Sequence, residues 1–459
     1  MPFTTETEAI TYVFESLAKI DWRNRGLDEH TRDTTPTEHL LRYAGLPAQK
    51  REYTVITGSK GKGSVAAITA KLLQSLGHTV GLVTSPHLTT YRQRFRVNGR
   101  MIAEEDLVRL INELHPEIET VKSRLNEGQY LSPQGIFLAV ALRWFDEQAV
   151  TAAVIEVGRG GRYDDNALVP NMLSMFTPII LEHTRYLGPT VTRIAWHKAG
   201  IIKPESYAYS LPQAPDVMEV LRREAESQNA TFEWLAPMDT GLYLGPATNG
   251  VLGMQVDMGR YGVVNIPMLG RYEVDNASLA VWGAGNMHAR LGNTDSHIPH
   301  SSAEYVARIR KGLESVIWPG RCERLQTNPA VYIDGAINTV SAGSFINSVR
   351  EYITHPLVVV LAVPKDRDYR AVYPLFAGLA DALILTETNR NITITFPDPQ
   401  VALETAREFH ANVRYEPTIP QAIEAAVQQA GRDGTVLMAV AQPAIGDALV
   451  YYGRDYEQI

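Results

Sequence analysis

Only one cysteine, Cys322, occurs among the 459 residues of the chain. A lone thiol excludes an internal disulfide and the cysteine clusters that hold zinc or iron–sulfur centres. The sequence also lacks an uninterrupted apolar run of about 18 residues, and no basic segment followed by an apolar one opens it, so we expect neither a membrane span nor a signal peptide. The net charge of −8 argues against general nucleic-acid binding. We therefore expect a cytoplasmic protein with no nucleic-acid or membrane partner.

The composition is typical of a globular protein, with 45% apolar and 20% charged residues. It excludes a largely disordered, collagen-like or coiled-coil chain. At about 150 residues per domain, the length suggests two or three domains. Polar residues and proline become frequent around residues 295–302 (DSHIPHSS), where we place a boundary. The predicted domains are residues 1–300 and 301–459.

Strand and helix patterns alternate along most of the chain, which predicts an α/β fold. Tyr53–Thr57 predicts a buried strand, Ser64–Leu76 has apolar residues at helical spacing, and Thr79–Thr84 predicts a second strand. This β-loop-α-β unit indicates a mostly parallel sheet. Further elements are predicted as helices at 134–147, 190–200, 276–290, 303–313, 340–352 and 419–429, and as strands at 152–157, 173–177, 330–333, 357–362, 382–385 and 435–440.

A glycine-rich loop, Thr57-Gly-Ser-Lys-Gly-Lys-Gly-Ser64, lies between the first strand and its helix. Glycines let backbone N–H groups approach an anion, and a helix N-terminus favours negative charge. Lys62 can neutralise β- and γ-phosphate oxygens, and Ser64 can offer its hydroxyl oxygen to Mg²⁺. Because Gly63 departs from the strict Walker A pattern, a glycine-rich turn with solvated lysines is the alternative. The strand before the loop and the helix after it favour a phosphate site.

Further motifs follow the loop in a fixed order. They are TSPHL at Thr84–Leu88, RFRVNG at Arg94–Gly99, EVGRGGR at Glu156–Arg162, HT and LG within 183–188, KAGIIK at Lys198–Lys203, Asn276-Ala277, WPGR at Trp318–Arg321, DGA with Asn338 at Asp334, and KDRD at Lys365–Asp368. Together with the loop, this ordered set resembles the folylpolyglutamate synthase/dihydrofolate synthase family, a branch of the Mur-type ligases. The resemblance spans about residues 54–368, with a weaker trace towards residue 459.

The resemblance implies a P-loop-containing Mur-ligase-like ATPase domain with a mostly parallel sheet, followed by a smaller, Rossmann-like C-terminal α/β domain. It implies an ADP-forming ligase that joins a carboxylic acid to an amine through an acyl phosphate. ATP and Mg²⁺ are the expected cofactors. The expected substrates are a carboxylic acid and an amine, commonly the α-amino group of an amino acid. A monomer is expected.

The resemblance also implies a role for each of a set of residues. The nucleotide site would comprise Gly58, Ser59, Lys60, Gly61, Lys62, Gly63, Ser64, Asn276, Arg321 and Asp334. The metal ligands would be Ser64, Glu156, His183 and, if carbamylated, Lys198. Catalytic roles fall to Lys62, His183 and Lys198, and substrate contacts to Ser85, Pro86 and His87.

Simpler readings of some of these residues stay open. Glu156 ends an apolar strand, where open α/β sheets bind ligands and a carboxylate suits Mg²⁺, yet it could instead pair with Arg159 or Arg162. Arg321 could be a turn residue and Asp334 a strand-end cap. If the phosphate-site reading holds, the chain has one local basic focus, formed by Lys60, Lys62, Arg159, Arg162 and Arg321.

Departures from the family pattern cluster where the family handles its substrates. The family's DGAHNP is DGAINT here, and Ile337 cannot hydrogen-bond as histidine can. An aromatic–Glu pair is Gln134-Gly135, the HQ before Asn276 is Tyr272-Glu273, and Lys60 replaces an asparagine. We therefore hypothesise that the acid is not the usual folate, or that the amine is not glutamate. A non-catalytic nucleotide-binding protein and a P-loop ATPase or kinase are the alternatives.

Overall fold

The computed structural model describes residues 2–21, 25–248, 252–292, 298–391 and 394–459. Residues 295–297 of the stretch predicted as the boundary lie outside the described residues. The helices are α1 (Glu6–Ala18), α2 (Asp28–Thr31), α3 (Thr35–Tyr43), α4 (Lys62–Ser75), α5 (Glu104–Lys122), α6 (Pro133–Glu147), α7 (Thr184–Leu187), α8 (Val191–Ala199), α9 (Pro215–Ser227), α10 (Tyr272–Leu291), α11 (Ala303–Leu313), α12 (Thr339–Val349), α13 (Tyr369–Ala377), α14 (Pro399–Arg407), α15 (Ile419–Ala430) and α16 (Gln442–Tyr451). The strands are β1 (Glu52–Thr57), β2 (Val80–Val83), β3 (Phe95–Val97), β4 (Arg100–Met101), β5 (Ala152–Glu156), β6 (Leu173–Phe176), β7 (Tyr207–Ser210), β8 (Thr231–Trp234), β9 (Leu242–Pro246), β10 (Met254–Asp257), β11 (Val263–Ile266), β12 (Glu323–Gln326), β13 (Ala330–Asp334), β14 (Leu357–Ala362), β15 (Ala382–Leu385), β16 (Val413–Tyr415) and β17 (Thr435–Val440).

An eight-stranded sheet has the strand order β4-β3-β2-β5-β1-β6-β7-β8. The strands from β2 to β8 in that order are parallel, whereas β3 and β4 pair antiparallel. Strand β1 is central and pairs with β5 on one side and β6 on the other. Because parallel strands end at the same edge, the segments that follow β1, β5 and β6 lie side by side.

Helices cover both faces of this sheet, which explains why its central strands are apolar throughout. Val55 and Ile155 point into a core shared with α5 and α6. Ile56 and Val154 point the other way, into a core shared with α4 and α10. The alternation follows from the two-residue period of a strand.

Helix α11 packs against α4. A Cβ atom at Gly312 would lie 2.9 Å from Leu72 Cδ2, and Ile309 and Leu313 belong to the same core cluster as Leu72. The division of the chain near residue 300 stays a prediction. This packing favours a division after Leu313, so that α11 stays with the first unit.

A second, six-stranded sheet has the order β12-β13-β17-β14-β15-β16 and is parallel except at β12. Between the two sheets in sequence lies a small antiparallel sheet, β11-β10-β9. The predicted mostly parallel sheet and the second α/β unit are confirmed, and the helices and strands named above from the sequence differ only at their ends. Within the described ranges, no helix is both long and apolar enough to cross a membrane.

Candidate functional site

The loop after β1 approaches its neighbours so closely that two positions require glycine. Gly58 has a φ of 146°, and a Cβ there would lie 1.9 Å from Thr177 Oγ1. Gly61 has a φ of 87°, and its Cβ would lie 2.6 Å from Asn276 Oδ1. Helix α4 begins directly afterwards, at Lys62, and no side chain of the N-cap residue Gly61 caps it. The first N–H groups of a helix have no partner within the helix. The loop therefore has the backbone of an anion site at a helix N-terminus.

Two lysines reach the same carbonyl oxygen of this loop. Lys62 Nζ donates to Gly58 O at 3.1 Å, and Lys198 Nζ from α8 donates to it at 2.7 Å. Lys198 is fully buried, also donates to Arg159 O at 2.9 Å and lies 3.8 Å from Glu182 Oε1. Burial, and then the charge of Lys62, lower the pKa of Lys198 to about 7. Lys198 is thus an amine that loses its proton near neutral pH.

Ser59 and Lys60 complete the loop. Ser59 N–H donates to Pro178 O at 2.8 Å, and Ser59 Oγ accepts from Ile180 N–H at 3.1 Å, which ties the loop to the segment after β6. Burial lowers the pKa of Lys60, an effect that the charge of Glu182 opposes. Lys60 and Lys62 therefore place two amines at the loop.

Ser64 contacts the carboxylate of Glu273, a residue that the sequence indicated only as a departure from the family pattern. Its hydroxyl donates to Glu273 Oε1 at 2.7 Å, and Asn276 Nδ2 donates to Glu273 Oε2 at 3.0 Å. Glu273 is fully buried, and this burial raises its pKa to about 7. The signal available in the sequence was the spacing of Glu273 and Asn276, which puts both on one face of a helix.

Glu156 ends β5 beside the loop and is only 5% exposed. Its Oε2 accepts a hydrogen bond from Ser85 N–H at 3.0 Å. Ser85 is the first of the three residues predicted to contact substrate, so this segment begins in contact with Glu156. Burial raises the pKa of Glu156, whereas the charge of Lys62 acts in the opposite direction. The strand end therefore holds a carboxylate without an ion pair to any described residue.

Two of the five residues in the predicted local basic focus form ion pairs with carboxylates. Arg159 pairs with Asp28 at 3.0 Å and lies over the ring of Tyr186, and Arg162 pairs with Glu224 at 2.6 Å. The alternative that either arginine pairs with Glu156 is therefore wrong. The partners come from distant parts of the chain, which is why spacing alone did not indicate them.

His183 lies at the start of α7 with a φ of 50°, next to Glu182. Burial lowers the pKa of His183 to about 4, so its imidazole is neutral near pH 7. A neutral imidazole presents a lone pair, which is the form that binds metals. The neutral imidazole is thus compatible with a metal role for His183, which stays a prediction.

The predicted magnesium ligands include one carboxylate, Glu156, and one histidine, His183. Within the described part of the chain, no group of three or more His, Cys, Asp or Glu side chains is suited to hold a metal. Mg²⁺ commonly uses one or two carboxylates with phosphate oxygens and water, so Ser64 and Glu156 fit it. Lys198 does not fit as an amine, because Nζ donates to two carbonyls. Only its carbamylated form would supply oxygen ligands.

Asp334, at the end of β13, brings the second α/β unit to this site. Its Oδ2 accepts from Cys322 N–H at 2.9 Å and from the Tyr272 hydroxyl at 3.0 Å. Tyr272 opens α10 of the first unit, so this second bond joins the two units. Burial raises the pKa of Asp334, and the neighbouring charge of Arg321 opposes that effect. Asp334 therefore contacts the first unit, and Arg321 lies close enough for its charge to act on Asp334.

We expect Tyr272→Phe to lower the free energy of unfolding by about 1.5–3 kcal/mol, because it removes a hydrogen bond to a buried carboxylate but keeps the ring. Denaturant titration measures this loss. Tyr452→Phe is the matched control, since the Tyr452 hydroxyl has no partner among the described residues. Equal stability of the two variants would contradict the importance of the Tyr272 bond.

A cavity of about 390 Å³ opens beside His183, with aromatic and basic side chains in its lining. Arg94 lines it without an ion pair to a described residue. Its Nε donates to His87 Nδ1 at 3.2 Å, and the guanidinium lies 5.4 Å from the centroid of the Phe137 ring. Burial lowers the pKa of Arg94 to about 10, so Arg94 stays charged at neutral pH. The cavity therefore suits an anionic, partly aromatic ligand.

The segment of Ser85, Pro86 and His87 lies between this cavity and the second unit. The His87 ring contacts the Tyr91 ring at a tilt of 41°, with centroids 4.1 Å apart, and burial lowers the pKa of His87 to about 3. Pro86 O accepts from Gln442 Nε2 of α16 at 3.4 Å. The predicted substrate segment is thus in contact with both units.

This arrangement defines a Mur-type ligase: a phosphate loop at the edge of a parallel sheet, facing a second α/β unit across a cleft. The family model for the Mur ligase, glutamate ligase domain matches residues 320–441. The solved structure of Mycobacterium tuberculosis folylpolyglutamate synthase complexed with ADP superimposes with a TM-score of 0.81, covering 98% of this chain and 99% of that one at 27% identity.

The chain belongs to the folylpolyglutamate synthase/dihydrofolate synthase family and is an ADP-forming ligase that makes carbon–nitrogen bonds. It is 30% identical over 355 residues to the dihydrofolate synthase/folylpolyglutamate synthase of Bacillus subtilis (strain 168), covering 75% of this chain and 79% of that protein. It is 28% identical over 377 residues to the folylpolyglutamate synthase of Lacticaseibacillus casei, covering 80% and 81%.

Proposed function

We propose that the cleft binds ATP with Mg²⁺ and joins an amino acid to a carboxylic acid through an acyl phosphate. The observation that carries this proposal is the convergence of Lys62 and Lys198 on the carbonyl oxygen of Gly58. Two lysine side chains that reach one loop carbonyl suit a site that binds negatively charged phosphate groups. The relative from Mycobacterium tuberculosis is described as complexed with ADP, which supports a nucleotide at this loop.

In this proposal, the residues position the reactants and neutralise charge. The loop amides and Lys62 hold the triphosphate, Asn276 and Asp334 hold the nucleoside, and Arg321 faces the transferring phosphate. Ser64, Glu156 and His183 would hold Mg²⁺, which would add positive charge at the phosphates. No protein nucleophile is needed, and the buried Cys322 has no such role.

The reaction forms and breaks one bond at each step. A carboxylate oxygen of the acid attacks the γ-phosphorus, and ADP leaves with the electron pair of the broken P–O bond. The amine nitrogen then attacks the carbonyl carbon of the acyl phosphate, and phosphate leaves while the amine loses its proton. In this proposal, the second unit, which contacts Pro86 through Gln442, closes over the acid and excludes water.

We place the acid in the cavity beside His183, with Arg94 as its anion partner. Arg94 forms no ion pair with a described residue, although the charge of Glu156 acts on it, and Phe137 and Tyr163 offer apolar faces. A monomeric active form stays a prediction. A cytoplasmic location stays a prediction.

We further propose that the acid is not the usual folate, or that the amine is not glutamate. A Cβ at Gly135 would lie 2.0 Å from Thr37 Oγ1, so the family's glutamate has no room on α6. The space is filled because Thr37 donates to Asp165 Oδ1 at 2.6 Å. In the second unit, the Ile337 side chain packs against an apolar core where the family has a histidine.

A screen of ADP release tests the substrate proposal. Dihydropteroate, tetrahydrofolate and other aromatic acids are each combined with glutamate and with the other common amino acids, and products are identified by mass. We expect the best pair to differ from a folate with glutamate. The Bacillus subtilis relative serves as the positive control for folates. Robust amide formation from dihydropteroate or tetrahydrofolate with glutamate would contradict the divergence.

A further inference from the structure

Glu273 occupies an unusual place for a carboxylate, in direct contact with Ser64, the last residue of the phosphate loop. It comes from the first turn of α10 and is fully buried. Its Oε1 lies 2.7 Å from Ser64 Oγ, and its Oε2 lies 3.0 Å from Asn276 Nδ2. Asn276 in turn abuts Gly61 of the loop. Both carboxylate oxygens of Glu273 are therefore held by hydrogen bonds, one from Ser64 and the other from Asn276.

The hydrogen bond to Glu273 determines whether the Ser64 hydroxyl presents its proton or its lone pairs to a ligand. A serine hydroxyl has one proton and two acceptor lone pairs, and it rotates to suit its surroundings. In the first turn of a helix, such a hydroxyl otherwise bonds to nearby backbone groups. Because the proton is committed to Glu273, the lone pairs of Ser64 face away from that carboxylate. The oxygen is then presented to a cation.

The charge of Glu273 acts in the same direction. In its ionised form, a buried carboxylate near the loop repels nucleotide phosphates in the absence of a cation and attracts a divalent ion. The loop lysines attract phosphates whether or not a metal is present. Glu273 therefore favours binding of the nucleotide together with a divalent cation over binding of the nucleotide alone.

We propose that Glu273 is a positioning residue for the metal–nucleotide complex, which orients Ser64 and makes nucleotide binding depend on a divalent cation. This role rests on the proposed function, since it requires a metal at Ser64. Groups that orient metal ligands in this way contribute about 10- to 100-fold in metal affinity.

Binding measurements on the whole protein test this role without turnover. ADP affinity is measured by calorimetry in EDTA and in Mg²⁺, and Mn²⁺ affinity in the presence of ADP by electron paramagnetic resonance. We expect Glu273→Gln to weaken Mn²⁺ binding by about 10- to 100-fold, while ADP affinity in EDTA stays equal or rises. Asp275→Asn is the matched control, because it removes the same charge from the same turn at an exposed position. Asp275→Asn should bind like the wild type.

A double-mutant cycle with Ser64→Ala keeps the role testable even if Glu273→Gln is less stable. If Glu273 acts through Ser64, the double variant should bind Mn²⁺ no more weakly than Ser64→Ala alone. Wild-type Mn²⁺ affinity in Glu273→Gln, or an equal loss of ADP affinity with and without metal, would overturn the positioning role only. A wild-type protein whose ADP binding gains nothing from Mg²⁺ would overturn the proposed function as well.

Discussion

Replacement of Lys62 by alanine is expected to lower turnover by about 10³-fold or more, the scale on which a charge at a transferring phosphoryl group acts. In the structure, the Lys62 amine touches the loop carbonyl of Gly58 and lies near Glu156. Its role in the fold is small, because it opens α4 and is only partly buried. The variant should therefore unfold at the temperature of the wild type.

Initial rates of ADP release and a thermal unfolding curve measure the two halves of this prediction. Lys50→Ala is the matched control, since Lys50 is an exposed lysine on the segment before β1. Lys50→Ala should keep both the rate and the unfolding temperature. Activity close to wild type in Lys62→Ala would mean that the loop does not hold the transferring phosphate.

Replacement of Lys198 by alanine is expected to lower turnover by about 10²- to 10³-fold, the cost of removing one preorganised group from a reacting charge. The structure supplies the reason for a special lysine here. Burial, assisted by Lys62, lowers its pKa to about 7, so the amine becomes neutral as the pH rises above that value. Carbamylation by carbon dioxide needs the neutral amine, so it should increase from pH 6 to pH 8.

Carbon-13 NMR after incubation with labelled bicarbonate detects the carbamate directly. We expect a carbamate signal in the wild type at pH 8, a weaker one at pH 6, and none in Lys198→Ala. Removal of bicarbonate should lower wild-type activity in parallel. A wild-type protein that is fully active without any carbamate signal would contradict carbamylation, and unchanged turnover in Lys198→Ala would contradict a catalytic role.

The sequence predicted the elements around the loop well because their signals are local. β1, α4 and β2 follow from an apolar run, a helical repeat and a second apolar run within 35 residues. The N-terminal helices α1 and α3 were not predicted, although Thr5 and Glu8 form a cap pattern at the start of α1. A cap is a weaker signal than a long apolar repeat.

The site could be predicted only where its motifs lie close to their partners in sequence. Lys198 was expected near the phosphates from resemblance, but its hydrogen bonds to Gly58 and Arg159 depend on how α8 packs under the loop. The bond from Ser64 to Glu273 joins residues 209 positions apart. Such contacts are set by tertiary packing, which spacing along the chain does not encode.

The central claim is that the acid is activated as an acyl phosphate, and oxygen tracing tests it most directly. The acid of the best pair from the screen is labelled with oxygen-18 in its carboxylate and incubated with ATP, the amine and the protein. An acyl phosphate transfers one carboxylate oxygen to the phosphate released, so we predict one labelled oxygen per phosphate, with ADP as the nucleotide product. Label in AMP, or amide formed with no label in phosphate, would contradict the account.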